Sequence, residues 1–243
     1  MNTVTDLDQR KRDNPKGYRL LTFMAMLYLT ADLISAALCY KFVRIHMLFF
    51  SAETLVFPFT YAITDIIAEV YGYSIARKLI WIVFLCDTLF GLTTALLVQL
   101  PSPTLELQHI YNFVFADLLR GSAGEVLGVL AGIFINIYAV SKLKILTGGK
   151  YFWLRSIGSS LIGEAVLVMI SMPMIFLGKT SSLHDLAVLM LCSYSYKIIF
   201  AFAAAYPATL VVRALKKIEH IDTYDYNIDF NPFAIFEKDA LFE

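Results

Sequence analysis

Charge is scarce in this chain and evenly divided: 16% of residues are charged, with twenty Lys+Arg against twenty Asp+Glu and a formal net charge of zero. No basic excess is available for nucleic acid, and no acidic excess for a cationic partner. Cysteine is equally sparse. Cys39, Cys86 and Cys192 lie in or beside apolar stretches without CxxC spacing, which argues against a disulfide framework or a zinc site. The four histidines, His46, His109, His184 and His220, form no HxxxH or HxxE pair, so no metal site is expected. There is no GxxxxGK[ST] run to cradle and hydrolyse a nucleotide, and no GxSxG elbow. No serine or cysteine deep in an apolar run has a histidine expected at its depth. These absences imply no cofactor. Any energy for work comes from an ion gradient, a partner or the substrate's own gradient.

What the chain has in abundance is apolar surface. Hydrophobic residues make up 58% of it and the mean hydropathy is +0.67, more than a polar shell could cover in water. Six runs approach the roughly 20 residues that span a hydrocarbon core. They lie near 19–40, 48–71, 77–100, 122–141, 156–178 and 185–212. The expected organisation is an all-α membrane domain over 19–212, with a cytoplasmic segment over 1–18 and a cytoplasmic tail over 213–243. The first run follows a basic, Pro-containing stretch but lacks a small-residue cleavage site and is too long for a signal-peptide core, so it reads as retained. No connection is long enough for a separate catalytic domain; the longest outer one runs from about Pro101 to Gly121.

Orientation follows from the basic residues, which gather in cytoplasmic loops. With the N-terminus inside, Arg10, Lys11, Arg12, Lys16, Arg19, Arg77, Lys78, Lys142, Lys144, Lys150, Arg155, Arg213, Lys216, Lys217 and Lys238 fall on the inner side, fifteen in all. Only Lys41, Arg44, Arg120 and Lys179 fall outside, and Lys197 lies within the sixth run. Both termini are expected in the cytoplasm.

Local chemistry is concentrated in the second and fourth runs. Glu53, Asp65 and Glu69 interrupt the second, and Glu125 and Asn136 the fourth. Pro58 lacks an amide hydrogen and is expected to kink or break its helix. Gly124, Gly128 and Gly132 recur every four residues on one face, a pattern for close backbone approach, either to a neighbouring helix or to a second protein. Tyr61, Asp65 and Glu69 are spaced i, i+4, i+8, so they form one polar stripe in which the two carboxylates repel. An ionised group at mid-bilayer costs at least about 2.5–3.5 kcal/mol unless paired or wetted. Lys197 and Glu164 fall at similar depth and are expected to pair. With Asp32, Asp87 and Asn136 added, every run contributes a polar group, which points to a wet central cavity rather than to isolated register-fixing residues. An aspartyl chemistry joining Asp65 to Asp87 is the one enzymatic alternative.

The sequence Phe57-Pro58-Phe59-Thr60-Tyr61, then Asp65, then Ala68-Glu69-Val70-Tyr71-Gly72 and Ala76-Arg77 resembles the signature of the queuosine precursor transporter family, also called the vitamin uptake transporter family. Ser141-Lys142-Leu143-Lys144, Trp153-Leu154-Arg155-Ser156, Tyr196-Lys197 with Pro207, and the tail from Asp222 through Asn231-Pro232-Phe233 extend the resemblance over about residues 20–235. The resemblance implies a six-helix carrier of the inner membrane, similar in architecture to the substrate-binding subunits of energy-coupling-factor importers. Its substrate would be 7-cyano- or 7-aminomethyl-7-deazaguanine. Such a ring places a ring NH beside an exocyclic amine, which Asp65 or Glu69 could accept, while its faces suit Phe57, Tyr61 and Tyr194. Asn136 or Lys197 could donate to its carbonyl, and Glu164 completes the expected set. Besides the bilayer and a nucleobase-like solute, the partners left open are a membrane subunit and a second copy of the chain.

A reporter fused after Phe242 should read cytoplasmic, given the excess of basic residues on that side. A periplasmic signal would overturn the six-span topology.

Overall fold

The computed structural model describes residues 18–45, 48–115, 118–178, 180–226 and 228–234. The basic residues Arg10 to Lys16, with Lys179, Lys238, His46 and Phe242, lie outside the described residues, as do the side chains of Arg120 and Glu125 and the packing of Gly124. The chain is a helical bundle: α1 (Leu21–Leu38), α2 (Glu53–Val56), α3 (Pro58–Tyr71), α4 (Tyr73–Val98), α5 (Leu105–Phe115), α6 (Leu118–Leu146), α7 (Phe152–Phe176) and α8 (Leu183–Glu219). Among the described residues, six stretches are long and apolar enough to cross a membrane, with α2 and α3 together making the second. Large apolar side chains such as Phe23, Leu85, Leu96, Met169, Leu191 and Ile199 point outward from them. In water that surface would drive aggregation; in lipid it is solvated, so the protein is a multi-pass membrane protein.

Span limits differ from the sequence expectation where local chemistry overrides hydropathy. Residues 48–51, expected to open the second span, form a strand: Phe42–Ile45 (β1) and Leu48–Ser51 (β2) pair antiparallel, with Val43 opposite Phe50. Alternation of aromatic and β-branched residues gives this hairpin a buried face on which Phe50 reaches Tyr196 of α8, ring centroids 5.8 Å apart. The sixth span continues past 212 to Glu219, a helix of 37 residues. At 1.5 Å per residue it is about 55 Å long, well beyond a hydrocarbon core of about 30 Å. Its last turn does structural work: the Glu219 carboxylate accepts from the amides of Arg19 (3.2 Å) and Leu20 (2.6 Å), supplying the acceptor that the first turn of α1 has no side chain to provide.

The break at Pro58 is confined to one residue. Phe57 keeps helical dihedrals (φ −54°, ψ −37°) and its amide still donates to the Glu53 carbonyl at 2.8 Å, while Pro58 sits at the first position of α3, where its missing amide hydrogen is harmless. The Phe57 carbonyl accepts from both the amide and the hydroxyl of Thr60, at 2.9 and 2.6 Å.

Among the spans, the most polar is also the most enclosed. The second span has 72% of its window buried, against 28% for the first and third and 22% for the sixth. Its hydropathy of 1.2 is low because its side chains meet protein rather than lipid. At the tail end, Gly72 (φ +91°) turns α3 directly into α4, and a Cβ there would strike Asp225 and Thr223. The α4 N-terminus is satisfied from the tail, where both Asp225 carboxylate oxygens accept from the Tyr73 amide at 3.0 and 3.1 Å. Burial holds the Asp225 carboxyl above its ordinary value against these bonds.

The glycine face of α6 is a helix seam. A Cβ at Gly128 would lie 2.6 Å from Ser171 of α7, and one at Gly132 would lie 2.6 Å from both the Gly163 carbonyl and the Tyr61 hydroxyl. Gly132→Ala should therefore lower the unfolding midpoint in detergent clearly, whereas Gly158→Ala, at a position with open space around it, should leave the midpoint nearly unchanged. Equal effects of the two would remove the seam from the packing.

Candidate functional site

The stripe on α3 points to the bundle interior along its whole length, and its members have different surroundings. Tyr61, Asp65 and Glu69 are 2%, 0% and 0% exposed. Asp65 accepts from Asn136 Nδ2 of α6 at 2.5 Å on one oxygen and from the Ser156 hydroxyl of α7 on the other. Glu69, one turn nearer the tail, is caged by cations. Arg155 donates to it at 2.8 Å, Lys216 at 2.7 Å, and Lys144 Nζ stands 3.8 Å away.

This cage reaches outward to the tail. Lys144 also donates to the Glu69 carbonyl, to Asp222 Oδ1 and to the Thr223 carbonyl, each at 2.6 Å. Asp222 stands between Lys144 and Lys216, 2.9 Å from the latter. Burial alone would push its carboxyl up, but the hydrogen bonds from the two lysines outweigh that and hold it below its ordinary value. Two carboxylates and three cations thus share one network, buried at Glu69 and open to solvent at Asp222, which fits an intramembrane charge tied into structure.

Towards the hairpin end the polar groups open onto space. A narrow cleft lies among α3, α7 and α8, lined by Tyr61, Asp65, Ser156, Ser160, Glu164 and Lys197 and bordered by alanines of α8. Its free centre is water-sized. Lys197 Nζ is 3.0 Å from Glu164 Oε2, the pairing expected from their depths, and 4.5 Å from the centroid of the Phe57 ring. Both charged side chains are almost wholly buried, at 1% and 3% exposure. Around this cleft Tyr61 Oη and Asn136 Oδ1 have no hydrogen-bond partner among the described residues, and Glu164 Oε2 and Lys197 Nζ have none beyond each other. Buried polar atoms are normally satisfied, so their clustering marks a place suited to a polar ligand.

Of the residues singled out in the sequence, Tyr61, Asp65, Glu164 and Lys197 line the cleft; Asn136 and Phe57 stand directly behind it. Glu69 and Tyr194 do not line it. Glu69 is occupied by its cations, and Tyr194 donates to the Leu161 carbonyl at 3.1 Å beside an apolar cluster that includes Phe50, Val168 and Leu189. Asp87 belongs with Asp32 and Tyr28 in a separate cleft between α1, α4 and α6, so the Asp65–Asp87 dyad is not formed. Ser156 and Ser160 were missed, although a signal was there: Ser156, Ser160 and Glu164 are spaced i, i+4, i+8, a second polar stripe facing the first. No cluster of His, Cys, Asp or Glu suited to a metal occurs among the described residues.

In this polytopic helical membrane protein, buried polar atoms of Tyr61, Glu164 and Lys197 meet at one cleft, a place suited to a small polar ligand. Residues 51–212 match the family described as "Putative vitamin uptake transporter", and the chain belongs to that family. A curated relative is the "Probable queuosine precursor transporter" of Bacillus subtilis (strain 168), 29% identical over 119 residues, or 47% of this chain and 51% of that protein. The chain spans about half the length of the curated relative it matches. No solved structure matches.

The contrast between the two carboxylates on α3 is measurable as stability. Glu69→Gln removes the anion that Arg155 and Lys144 are buried against, and should cost about 3–5 kcal/mol. In Asp65→Asn the Ser156 hydroxyl can turn to accept from the new amide, so the loss should stay near 1 kcal/mol. Chemical unfolding in detergent reads both; a reversed order would reject the division into cage and cleft.

Proposed function

We propose that this protein resides in an inner membrane with both termini in the cytoplasm and imports a queuosine precursor, 7-cyano- or 7-aminomethyl-7-deazaguanine, through the cleft among α3, α7 and α8. The observation that carries this reading is that Tyr61, Glu164 and Lys197 line one cleft with buried polar atoms short of hydrogen-bond partners, while Asn136 stands behind it. Family membership and the name of the Bacillus relative support the solute class.

The chemistry suits a flat, neutral, polar heterocycle. Tyr61 and Phe57, with ring centroids 5.9 Å apart, offer aromatic surface. Asp65, Asn136, Glu164 and Lys197 offer donors and acceptors in a medium where each is worth more than in water. Glu69 contributes by holding α3, α7 and α8 together below the cleft, and Tyr194 by anchoring α8 to α7. The free centre is too narrow for a bicyclic ring, so admission requires α8 to move away from α3 along its alanine face.

The decisive measurement is uptake of labelled 7-cyano-7-deazaguanine by cells that cannot make the precursor and express only this chain, followed by vesicles holding the purified protein alone. Uptake in both is expected of a self-sufficient carrier. Binding without uptake, restored by an ATPase and a coupling membrane subunit, would instead make the chain the binding subunit of a multi-subunit importer. Turnover of the precursor in detergent would make it an enzyme.

A further inference from the structure

We infer that the Glu164–Lys197 pair reads the hydrogen-bonding edge of the substrate, while Asp65 holds the wall behind it; this rests on the deazaguanine reading above. Both oxygens of Asp65 are already engaged, by Asn136 on α6 and Ser156 on α7, and its side chain is fully buried. Asp65 therefore has fewer acceptor sites left for a ligand. Glu164 and Lys197 have capacity to spare. They face each other at 3.0 Å as an ion pair, and neither Oε2 nor Nζ has a further hydrogen-bond partner among the described residues.

An ammonium carries three donors and a carboxylate about four acceptor sites. Lys197 directs its charge towards Glu164 and the Phe57 ring, which leaves at least one donor unused. Glu53 is the other acid whose field reaches Glu164; it accepts from Ser51 at 3.4 Å and does not line the cleft. The pair therefore presents a donor beside an acceptor at the edge of a cleft. That arrangement is complementary to a lactam edge: the ring carbonyl accepts from Lys197, and the neighbouring ring NH and exocyclic amine donate together to the Glu164 carboxylate. The substrate class is thus a 2-amino-6-oxo heterocycle. Because the pair sums to zero charge, a neutral ring can enter and leave without an unbalanced charge in the membrane.

The experiment compares 7-cyano-7-deazaguanine with its analogue lacking the 2-amino group, by calorimetry on purified protein in detergent. Wild-type protein should prefer the amino compound at least about tenfold, the value of one charge-assisted bond. Glu164→Gln has one acceptor and an added donor, and should bring the preference to about threefold or less. The double variant Glu164→Gln/Lys197→Gln leaves neither buried charge unpaired and should lose the preference in the same way, so misfolding of the single variant does not hide the outcome. Either variant retaining the wild-type preference, or wild-type protein binding both compounds equally, overturns the assignment while leaving the transport reading intact. Wild-type protein that binds neither compound overturns both.

Discussion

The rest of the structure depends on the neutralisation of Glu69. This carboxylate has no access to water and stands on the most enclosed span, so it needs protein cations. Arg155 from α7, Lys216 from α8 and Lys144 from α6 supply them, and in doing so fix three helices against α3 at one level. Part of the surplus positive charge is offset by Asp222, which draws the tail onto the bundle. Helix association in a membrane has little hydrophobic drive, because lipid tails are as apolar as leucine. An ion network of this kind, together with the α6–α7 glycine seam, is what holds such a bundle in register.

The tail extends the same logic. Residues 220–234 contribute backbone carbonyls as acceptors for side chains that would otherwise be buried donors. Arg77 donates to the carbonyls of Asp229 and Asn231, Trp81 to that of Pro232, and the Tyr73 hydroxyl to that of Phe230. Phe230 packs on Tyr73 and Tyr138 beneath the Lys142 ammonium, 4.1 Å from its ring centroid. The tail is therefore part of the folded unit at this end.

Two levels of the same helix stripe have opposite electrostatic states. At the level of Glu69 the network is closely satisfied, and such networks rigidify. One to two turns away, at Asp65 and Tyr61, the partners on α6, α7 and α8 leave acceptors and donors unmet around a cleft. Satisfaction below and want above is what separates an anchor from a binding surface on one piece of helix.

Much of this was readable in the residues. Hydropathy located six spans, because apolar length answers directly to bilayer thickness, and the i, i+4, i+8 spacing of Tyr61, Asp65 and Glu69 put them on one face through helix geometry alone. The depth of Lys197 and Glu164 foretold their pairing, since burying either charge alone is costly. What no local pattern contained was partnership across the bundle. That Asp87 meets Asp32 rather than Asp65, that Glu69 is claimed by three cations while Glu164 is left with one, and that residues 48–51 leave the second span for a hairpin were decided by which helices became neighbours. Sequence determined which side chains had to avoid lipid; tertiary packing decided which of them would satisfy one another, because hydrogen bonds and ion pairs act over a few ångströms and residues some eighty positions apart reach that range only when the chain is folded.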